Sequence, residues 1–297
     1  TRYRVLVLGH RLRTQFVVGR LIGGQRIDAQ VPHLDAARRN AAHSLCEAGT
    51  AAHDLARLGI DGFAAVDPCL QAAAADLDRD ALYQLSTLPA LSAGLYEGFK
   101  PFGVILQRGD FGIGTFDGLN GEMVLLDGIV YQVLVDGTVA RPGPDAISPF
   151  ATVKFFDPEQ RGDIAETLTY EETRKHLDSV LTTRNVPLAV RIEGTFEYVR
   201  ARSVPVQEKP YPALSSALEH QRIFEMTNVT GTAVGFRFPT ALTGVQADGY
   251  HLHFVTQDRS AGGHLLDFRL GDVKYELDYA HDLLLELPSS GDFYNLR

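Results

Sequence analysis

The sequence predicts an α+β fold of two similar halves, each a mixed or antiparallel β-sheet flanked by helices, with a metal site in the C-terminal half. Three observations support this fold class. Helical and strand-like segments follow one another as helix then strands, twice, over about 82–160 and 165–290. Asp-Gly and glycine-rich turns separate many of the strand candidates, which is typical of antiparallel hairpins. Three histidines, at positions 251, 253 and 264, fall on one predicted hairpin.

The segment before the first half has a different composition. Six arginines and no acidic residue occur in residues 1–27, and Ala-rich stretches with helical spacing of apolar residues follow at 36–58 and 70–82. No catalytic pattern is visible there. The predicted organisation is therefore an N-terminal extension at 1–81, an N-terminal α+β half at 82–162, and a C-terminal α+β half with the metal site at 163–297.

The first half is predicted to begin with a helix over Tyr83–Tyr96, because Ser86 or Thr87 can cap it and Pro89 falls in its first turn. The glycine-rich segment 109–122 lacks the Lys-Ser/Thr of a P-loop, so strands with tight turns are the simpler interpretation. A strand is also predicted near the start of the chain. The strand candidates are Tyr3–Leu8, Met123–Leu126, Ile129–Val135 and Ala151–Phe156, the middle two followed by Asp-Gly turns.

The second half contains two predicted helices. Thr169–Leu181 begins with a capping box formed by Thr169 and Glu172, and Pro210–Gln221 has Pro212 in its first turn. The remaining segments alternate or are rich in β-branched and aromatic residues, which predicts strands. These are Leu188–Val204, Asn228–Phe238, Tyr250–Thr256, His264–Leu270 and two short strands within Val273–Leu287.

The histidine hairpin carries the strongest chemical pattern. His251 and His253 are two residues apart in a strand, so their side chains point to the same face. If the chain reverses at Asp258–Arg259, His253 pairs with His264 and three imidazoles converge. A single histidine in a strand is usually only a half-buried polar residue. Three on one face favour a tetrahedral divalent cation such as Zn2+, with nitrogens at about 2.0–2.1 Å and an open fourth position.

Charge and composition exclude several classes of function. The formal net charge of −9 argues against nucleic-acid partners and anionic membrane surfaces. No apolar run approaches the roughly 20 residues of a membrane span. Two cysteines, Cys46 and Cys69, are too few for a disulfide framework, so a reducing compartment is expected and a cytoplasmic location is predicted.

Several motifs occur in register from about residue 82 onward. They are Leu82–Thr87, Gly109–Phe116, Gly121–Met123, Ala201–Pro205, Gly231-Thr232 with Gly235-Phe236, and the histidine hairpin. Together they resemble the acetolactate decarboxylase family. The resemblance implies a two-domain α+β protein, usually a homodimer, that converts 2-acetolactate to acetoin and carbon dioxide.

The resemblance also implies roles for individual residues. His251, His253 and His264 match the zinc ligands, Glu122 matches the active-site glutamate, Arg202 matches the arginine before Ser/Thr-Val-Pro, and Thr115 matches a threonine near the site. A further glutamate, which relatives can carry in a C-terminal tail, has no matching position here.

This chemistry suits such residues. Loss of carbon dioxide leaves an enediolate, whose charge a metal ion can stabilise as a Lewis acid. Arg202 would stabilise the same charge or hold the substrate carboxylate, and a buried carboxylic acid would supply the proton.

Two other interpretations start from the same histidines. The run also resembles the plant- and prokaryote-conserved domain that accompanies AT-hook DNA-binding proteins, a non-enzymatic oligomeric module. That resemblance covers only the second half and leaves Glu122 and Arg202 unexplained. Cupin metal enzymes also use His-x-His, but the glutamate expected after the second histidine is absent from 254–263.

Overall fold

The computed structural model describes residues 5–7 and 80–295. The predicted helices at 36–58 and 70–82 lie outside this part of the chain, apart from residues 80–82, of which Ala81 and Leu82 belong to a strand. Among the described residues, no helix combines the length and apolarity that crossing a membrane requires.

Strands are the predominant regular structure of the described chain. Its strands are β1 Val5–Val7, β2 Ala81–Leu85, β3 Lys100–Pro101, β4 Phe111–Thr115, β5 Glu122–Leu126, β6 Ile129–Val133, β7 Val139–Ala140, β8 Ile147–Ser148, β9 Ala151–Lys154, β10 Gln160–Ile164, β11 Leu188–Ser203, β12 Arg222–Phe238, β13 Gly249–Thr256, β14 Gly262–Tyr279 and β15 Asp282–Glu286. The helices are α1 Leu88–Ser92, α2 Phe102–Ile105, α3 Tyr170–Val180 and α4 Leu214–Leu218, and three short 3-10 turns span Asp117–Leu119, Thr240–Leu242 and Gly291–Asn295.

The first sheet has eight strands in the order β1-β15-β2-β9-β4-β5-β6-β7. Only β15 and β2 run parallel to each other. The predicted Asp-Gly turn between β5 and β6 is confirmed, since Asp127 and Gly128 have φ values of 52° and 75°. Two consecutive left-handed residues are typical of the type I′ turn that matches the twist of a hairpin.

The helix predicted over Tyr83–Tyr96 is wrong at both ends, because the observed helix α1 contains only Leu88–Ser92. Residues up to Leu85 form β2, which lies between β15 and β9. Every residue from 82 to 85 is buried, so both faces of this strand are covered by other elements. The helix itself is α1, and the Thr87 hydroxyl caps it by accepting from the Ala90 N–H. Pairing with distant strands therefore decides the structure of residues 83–85, while Thr87 and Pro89 mark the start of the helix.

The second sheet has the order β10-β14-β11-β12-β13, and β13 also pairs with β14. The long strands β11, β12, β13 and β14 consequently close on themselves. The strand predicted over His264–Leu270 and the first of the two short strands predicted within Val273–Leu287 are one continuous strand of 18 residues, β14. It passes Gly271 without a break because shifts in register against β11 absorb the irregularity.

The helices of the second half differ in how well they were predicted. The capping box of α3 is confirmed, with Thr169 and Glu172 each bonding the other's backbone. The helix predicted over Pro210–Gln221 is wrong in its extent, because α4 contains only Leu214–Leu218. Pro212 disfavours helical backbone at the residue before it, so the helix starts later.

Apolar side chains fill the space inside the closed strands and the space between the two sheets. Phe196 and Phe254 are fully buried within the closed strands, and their rings meet edge to face at 4.9 Å. Phe111 from the first sheet and Phe236 from the second share the core between the sheets.

The α+β class is confirmed. The division at 162 stays a prediction. β10 spans it, from Gln160 to Ile164, and β15, which lies in the second half, joins the first sheet.

Candidate metal centre and catalytic pocket

The predicted register of the histidine hairpin is confirmed. His253 pairs with His264 across β13 and β14, followed by the pairs Phe254–Gly263 and Val255–Gly262. Gly263 has a φ of 142°, and a Cβ there would lie 2.5 Å from the carbonyl oxygen of Arg202. A glycine is therefore required at the point where β14 leaves β13 and joins β11.

Three imidazole nitrogens meet at this point. Nδ1 of His264 lies 3.2 Å from Nε2 of His251 and 3.2 Å from Nε2 of His253. The three possible ligand atoms all lie within 4.8 Å of one another. A tetrahedral ion with metal–nitrogen distances of about 2.0–2.1 Å holds neighbouring nitrogens about 3.3–3.4 Å apart. The spacing of the rings fits a cation of this kind.

The outer nitrogens of two rings have acceptors of their own. Nδ1 of His253 donates to the carbonyl oxygen of Met123 at 2.7 Å, and Nδ1 of His251 lies 3.4 Å from Oε1 of Gln246. A proton on Nδ1 leaves a lone pair on Nε2, the atom that faces the cluster. Such partners are typical of metal-ligating histidines because they set both ring orientation and tautomer.

The electrostatic environment keeps the rings neutral. Burial, together with the smaller effect of the nearby Arg202 charge, lowers the pKa of His251 to about 4. The pKa values of His253 and His264 are also lowered well below the ordinary value, mainly by burial. At neutral pH these nitrogens therefore present lone pairs, which is the protonation state that a metal ligand requires.

A buried ion pair lies beside the histidines. Arg202 of β11 is opposite His264 of β14, and its Nη1 donates to Oε1 of Glu122 at 3.0 Å. The other carboxylate oxygen of Glu122 lies 3.6 Å from Nε2 of His253. Burial raises the pKa of Glu122, while the Arg202 charge opposes that rise. The carboxyl group is thus within reach of both the histidine cluster and a permanent cation.

Thr115 is placed by the first sheet. It pairs with Glu122 across β4 and β5, and its hydroxyl donates to the carbonyl oxygen of Gly121 at 2.7 Å. Gly121 has a φ of 82°, and a Cβ there would lie 2.3 Å from the carbonyl oxygen of Val133. Thr115 therefore stabilises the tight turn that presents Glu122.

One cavity of about 240 Å³ brings together all six residues that the sequence singled out. They are Thr115, Glu122, Arg202, His251, His253 and His264. The lining of the cavity also includes apolar residues, among them Leu88 from α1, Leu214 from α4 and Phe150. Sequence reasoning missed these apolar residues, because an isolated leucine in a short helix carries no functional signal.

Gln246 was also missed. It precedes β13, is 2% exposed, and contacts His251. No motif contains it, and its relation to the site depends on the path of the loop after β12.

The fold and this cavity define a class of protein: an α+β protein whose buried histidines, carboxylate and arginine form a site of the kind found in metal-dependent enzymes. The family model for alpha-acetolactate decarboxylase matches residues 82–297. The chain therefore belongs to the alpha-acetolactate decarboxylase family, and it is a carboxy-lyase. The family predicted from the sequence motifs is confirmed, and the match begins at the residue where those motifs begin.

Individual relatives agree with the family match. The alpha-acetolactate decarboxylase of Methanosarcina mazei is 48% identical over 216 residues, which cover 73% of this chain and 75% of the relative. That of Bacillus subtilis is 40% identical over 214 residues, covering 72% and 84%. A crystal structure of the enzyme from Bacillus subtilis strain 168 superposes with a TM-score of 0.72 at 39% identity, covering 73% of this chain and 93% of that chain.

Proposed function

We propose that this chain decarboxylates 2-acetolactate to acetoin and carbon dioxide, with a zinc ion held by His251, His253 and His264. The observation that carries the proposal is the convergence of three neutral imidazoles on one point beside a buried Glu122–Arg202 pair. The family match spans both Glu122 and the histidine hairpin. The alternative of a DNA-associated module explains only the hairpin, so the decarboxylase is preferred.

The donor set favours a borderline ion such as zinc. Three imidazoles without a thiolate or a further ligating carboxylate are typical of catalytic zinc sites that keep a fourth position for substrate. When bound, the ion supplies a Lewis acid that stabilises the enediolate charge left when the bond from C2 to the carboxylate breaks. The remaining steps are assigned to side chains of this chain.

Arg202 is proposed to bind the negative charge of the substrate. A guanidinium is positively charged in proteins, and it offers several N–H donors. Nη1 of Arg202 donates to Glu122. The side chain is 12% exposed, so little water screens this charge. Arg202 can thereby orient the substrate carboxylate and stabilise the oxyanion that replaces it.

Glu122 is proposed to deliver the proton that replaces the lost carboxylate at C2. Burial raises its pKa towards the range in which a carboxyl group can donate a proton at neutral pH. Because Glu122 lies on one side of the histidine cluster, proton delivery from it would reach a single face of the enediolate. Thr115 keeps this carboxyl group in place by holding the turn before it.

Metal analysis combined with an acetoin assay tests the proposal. We expect about one zinc per chain in the purified protein, and acetoin formation that stops on chelation and returns with zinc. His253→Ala should lose both the metal and the activity. His281→Ala is the matched control, since His281 is exposed and outside the cavity. Unchanged zinc content and turnover in His253→Ala would contradict the proposal.

The proton donor has its own test. Glu122→Gln keeps a side chain that can accept from Arg202 but removes the acid. We expect a fall in turnover of about 10²–10⁴-fold, as for the loss of a general acid, together with racemic acetoin from what activity remains. Chiral gas chromatography of the product measures this. Retained enantiomeric purity at full rate would assign proton delivery to another group.

The homodimer implied by the resemblance and the cytoplasmic location predicted from the sequence also stay predictions. Light scattering of the purified protein and fractionation of cells that express it would check them.

A further inference from the structure

A chain of buried side-chain hydrogen bonds connects the first sheet to His251. Its members come from β2, from β9 and from the loop before β13, and they are 0%, 0% and 2% exposed. These residues are Gln84, Thr152 and Gln246. Buried polar groups in such a chain have defined partners, so each bond sets the direction of the next.

The direction begins at Gln84. Its amide nitrogen donates to the backbone carbonyls of the two following residues, at 3.3 and 3.2 Å. Its amide oxygen therefore remains as an acceptor, and the hydroxyl of Thr152 donates to it at 2.7 Å. The Thr152 hydroxyl has one proton, which it donates to Gln84. It can therefore only accept from Gln246, whose Nε2 lies 3.0 Å away.

The orientation of the Gln246 amide follows from these bonds. Because Nε2 faces Thr152, Oε1 faces the opposite way, where it accepts from the backbone N–H of Ala247 at 3.0 Å and lies 3.4 Å from Nδ1 of His251. An amide oxygen only accepts hydrogen bonds, so the proton of His251 must be on Nδ1. The lone pair is then on Nε2, which lies 3.2 Å from Nδ1 of His264.

We propose that Gln246 is a positioning residue that sets the tautomer and ring orientation of His251, with Thr152 and Gln84 holding its amide in place. For His253 the tautomer and ring orientation are set by the backbone carbonyl of Met123, which no side-chain substitution removes. His251 depends instead on a side chain, and through it on two strands of the first sheet. The proposal rests on the proposed function in so far as the oriented lone pair serves a metal.

The test uses the full chain with three variants: Gln246→Met, Thr152→Val and the double variant. Zinc affinity is measured by competition with a chelator, and the His251 tautomer by ¹⁵N–¹H correlation spectra of the metal-free protein. Loss of an outer partner of a ligating histidine typically weakens metal affinity about 10–100-fold, and we expect this for Gln246→Met. Thr152→Val should weaken it less, and the double variant should match Gln246→Met, because both changes act through one amide.

The controls separate positioning from stability. Gln160→Met also removes a partly buried amide, which donates to the carbonyl of Val180, but it lies away from the cavity and should leave zinc affinity unchanged. Gln246→Glu keeps the acceptor for His251 and should recover most of the affinity. If Gln246→Met fails to fold, Thr152→Val compared with Thr152→Ser decides the question, since serine keeps the hydroxyl.

Three results would overturn the proposal: a His251 proton on Nε2 in the wild type, equal zinc affinities for Gln246→Met and Gln160→Met, or multiplicative effects in the double variant. Failure of the proposed function is distinguishable from these results. If the wild-type chain binds no zinc, the proposed function fails, while the spectra of the metal-free protein still decide which nitrogen carries the proton.

Discussion

The Glu122–Arg202 ion pair should be strongly coupled, and a double-mutant cycle on the metal-free protein measures that coupling. The charged atoms are 3.0 Å apart, and the side chains are only 9% and 12% exposed. For charges about 4 Å apart at an effective dielectric constant near 20, the attraction is about 4 kcal/mol. The cycle compares Glu122→Gln, Arg202→Met and the double variant.

The single and double variants should differ in a defined order. Arg202→Met leaves the Glu122 carboxylate buried without its cation, and we expect it to lower the free energy of unfolding by about 3–5 kcal/mol. Glu122→Gln should cost less, since an amide oxygen can still accept from the guanidinium. The double variant should be more stable than the sum of the two losses predicts, with a coupling of about 2 kcal/mol or more.

Urea denaturation, followed by far-UV circular dichroism, gives the four free energies. The matched control is the Arg269–Glu197 pair, which has a shorter separation of 2.8 Å but side chains that are 52% and 39% exposed. Its coupling should fall within experimental error, because water screens exposed pairs. Equal coupling in the two cycles would refute the reasoning that burial, rather than distance, gives the pair at the site its strength.

Three further predictions concern Gly235, His251 and Thr169. Gly235→Ala should lower stability by about 1–3 kcal/mol in thermal unfolding and also weaken zinc binding, because the new Cβ would lie 2.1 Å from the carbonyl oxygen of His251. The metal-free protein should lose stability as the pH falls from about 6.5 to 4. In this range His251 takes up a proton in the unfolded chain but not in the folded chain, so the free energy of unfolding falls by about 1.4 kcal/mol per pH unit for this residue. Urea midpoints measured across that range check this. Thr169→Ala should remove the cap of α3 and lower stability by about 0.5–2 kcal/mol without changing zinc content.

Each of these has a contrary outcome. Gly143→Ala is the control for Gly235, since no atom lies within 4 Å of its added Cβ, and equal losses at both positions would show that crowding is not the cause. His251→Gln should make the dependence of stability on pH shallower without removing it, because the lowered pKa values of His253 and His264 contribute as well. An unchanged slope would assign the dependence to groups other than His251. Reduced zinc content in Thr169→Ala would mean that α3 supports the site as well as the fold.

Local patterns in the sequence carry information wherever the relevant partners are close along the chain. The register of the histidine hairpin depends on a turn of a few residues, so alternation and turn chemistry were enough to place His253 opposite His264. The capping box at Thr169 and the turn at Asp127-Gly128 are local in the same sense. The assignment of Glu122 and Arg202 to one site came from the family motifs, and the ion pair between them, which joins residues 80 positions apart, was not predicted.

The sequence by itself determined the family, the α+β class, and the hairpin that brings His253 opposite His264, since strand periodicity and turn residues act over a few positions. Tertiary structure decided the rest. It made Tyr83–Leu85 a strand, because both faces are covered there by distant segments. It also brought Thr152 to Gln246, 94 residues away, and so oriented the amide beside His251, because hydrogen bonding between remote residues depends on how the two sheets pack.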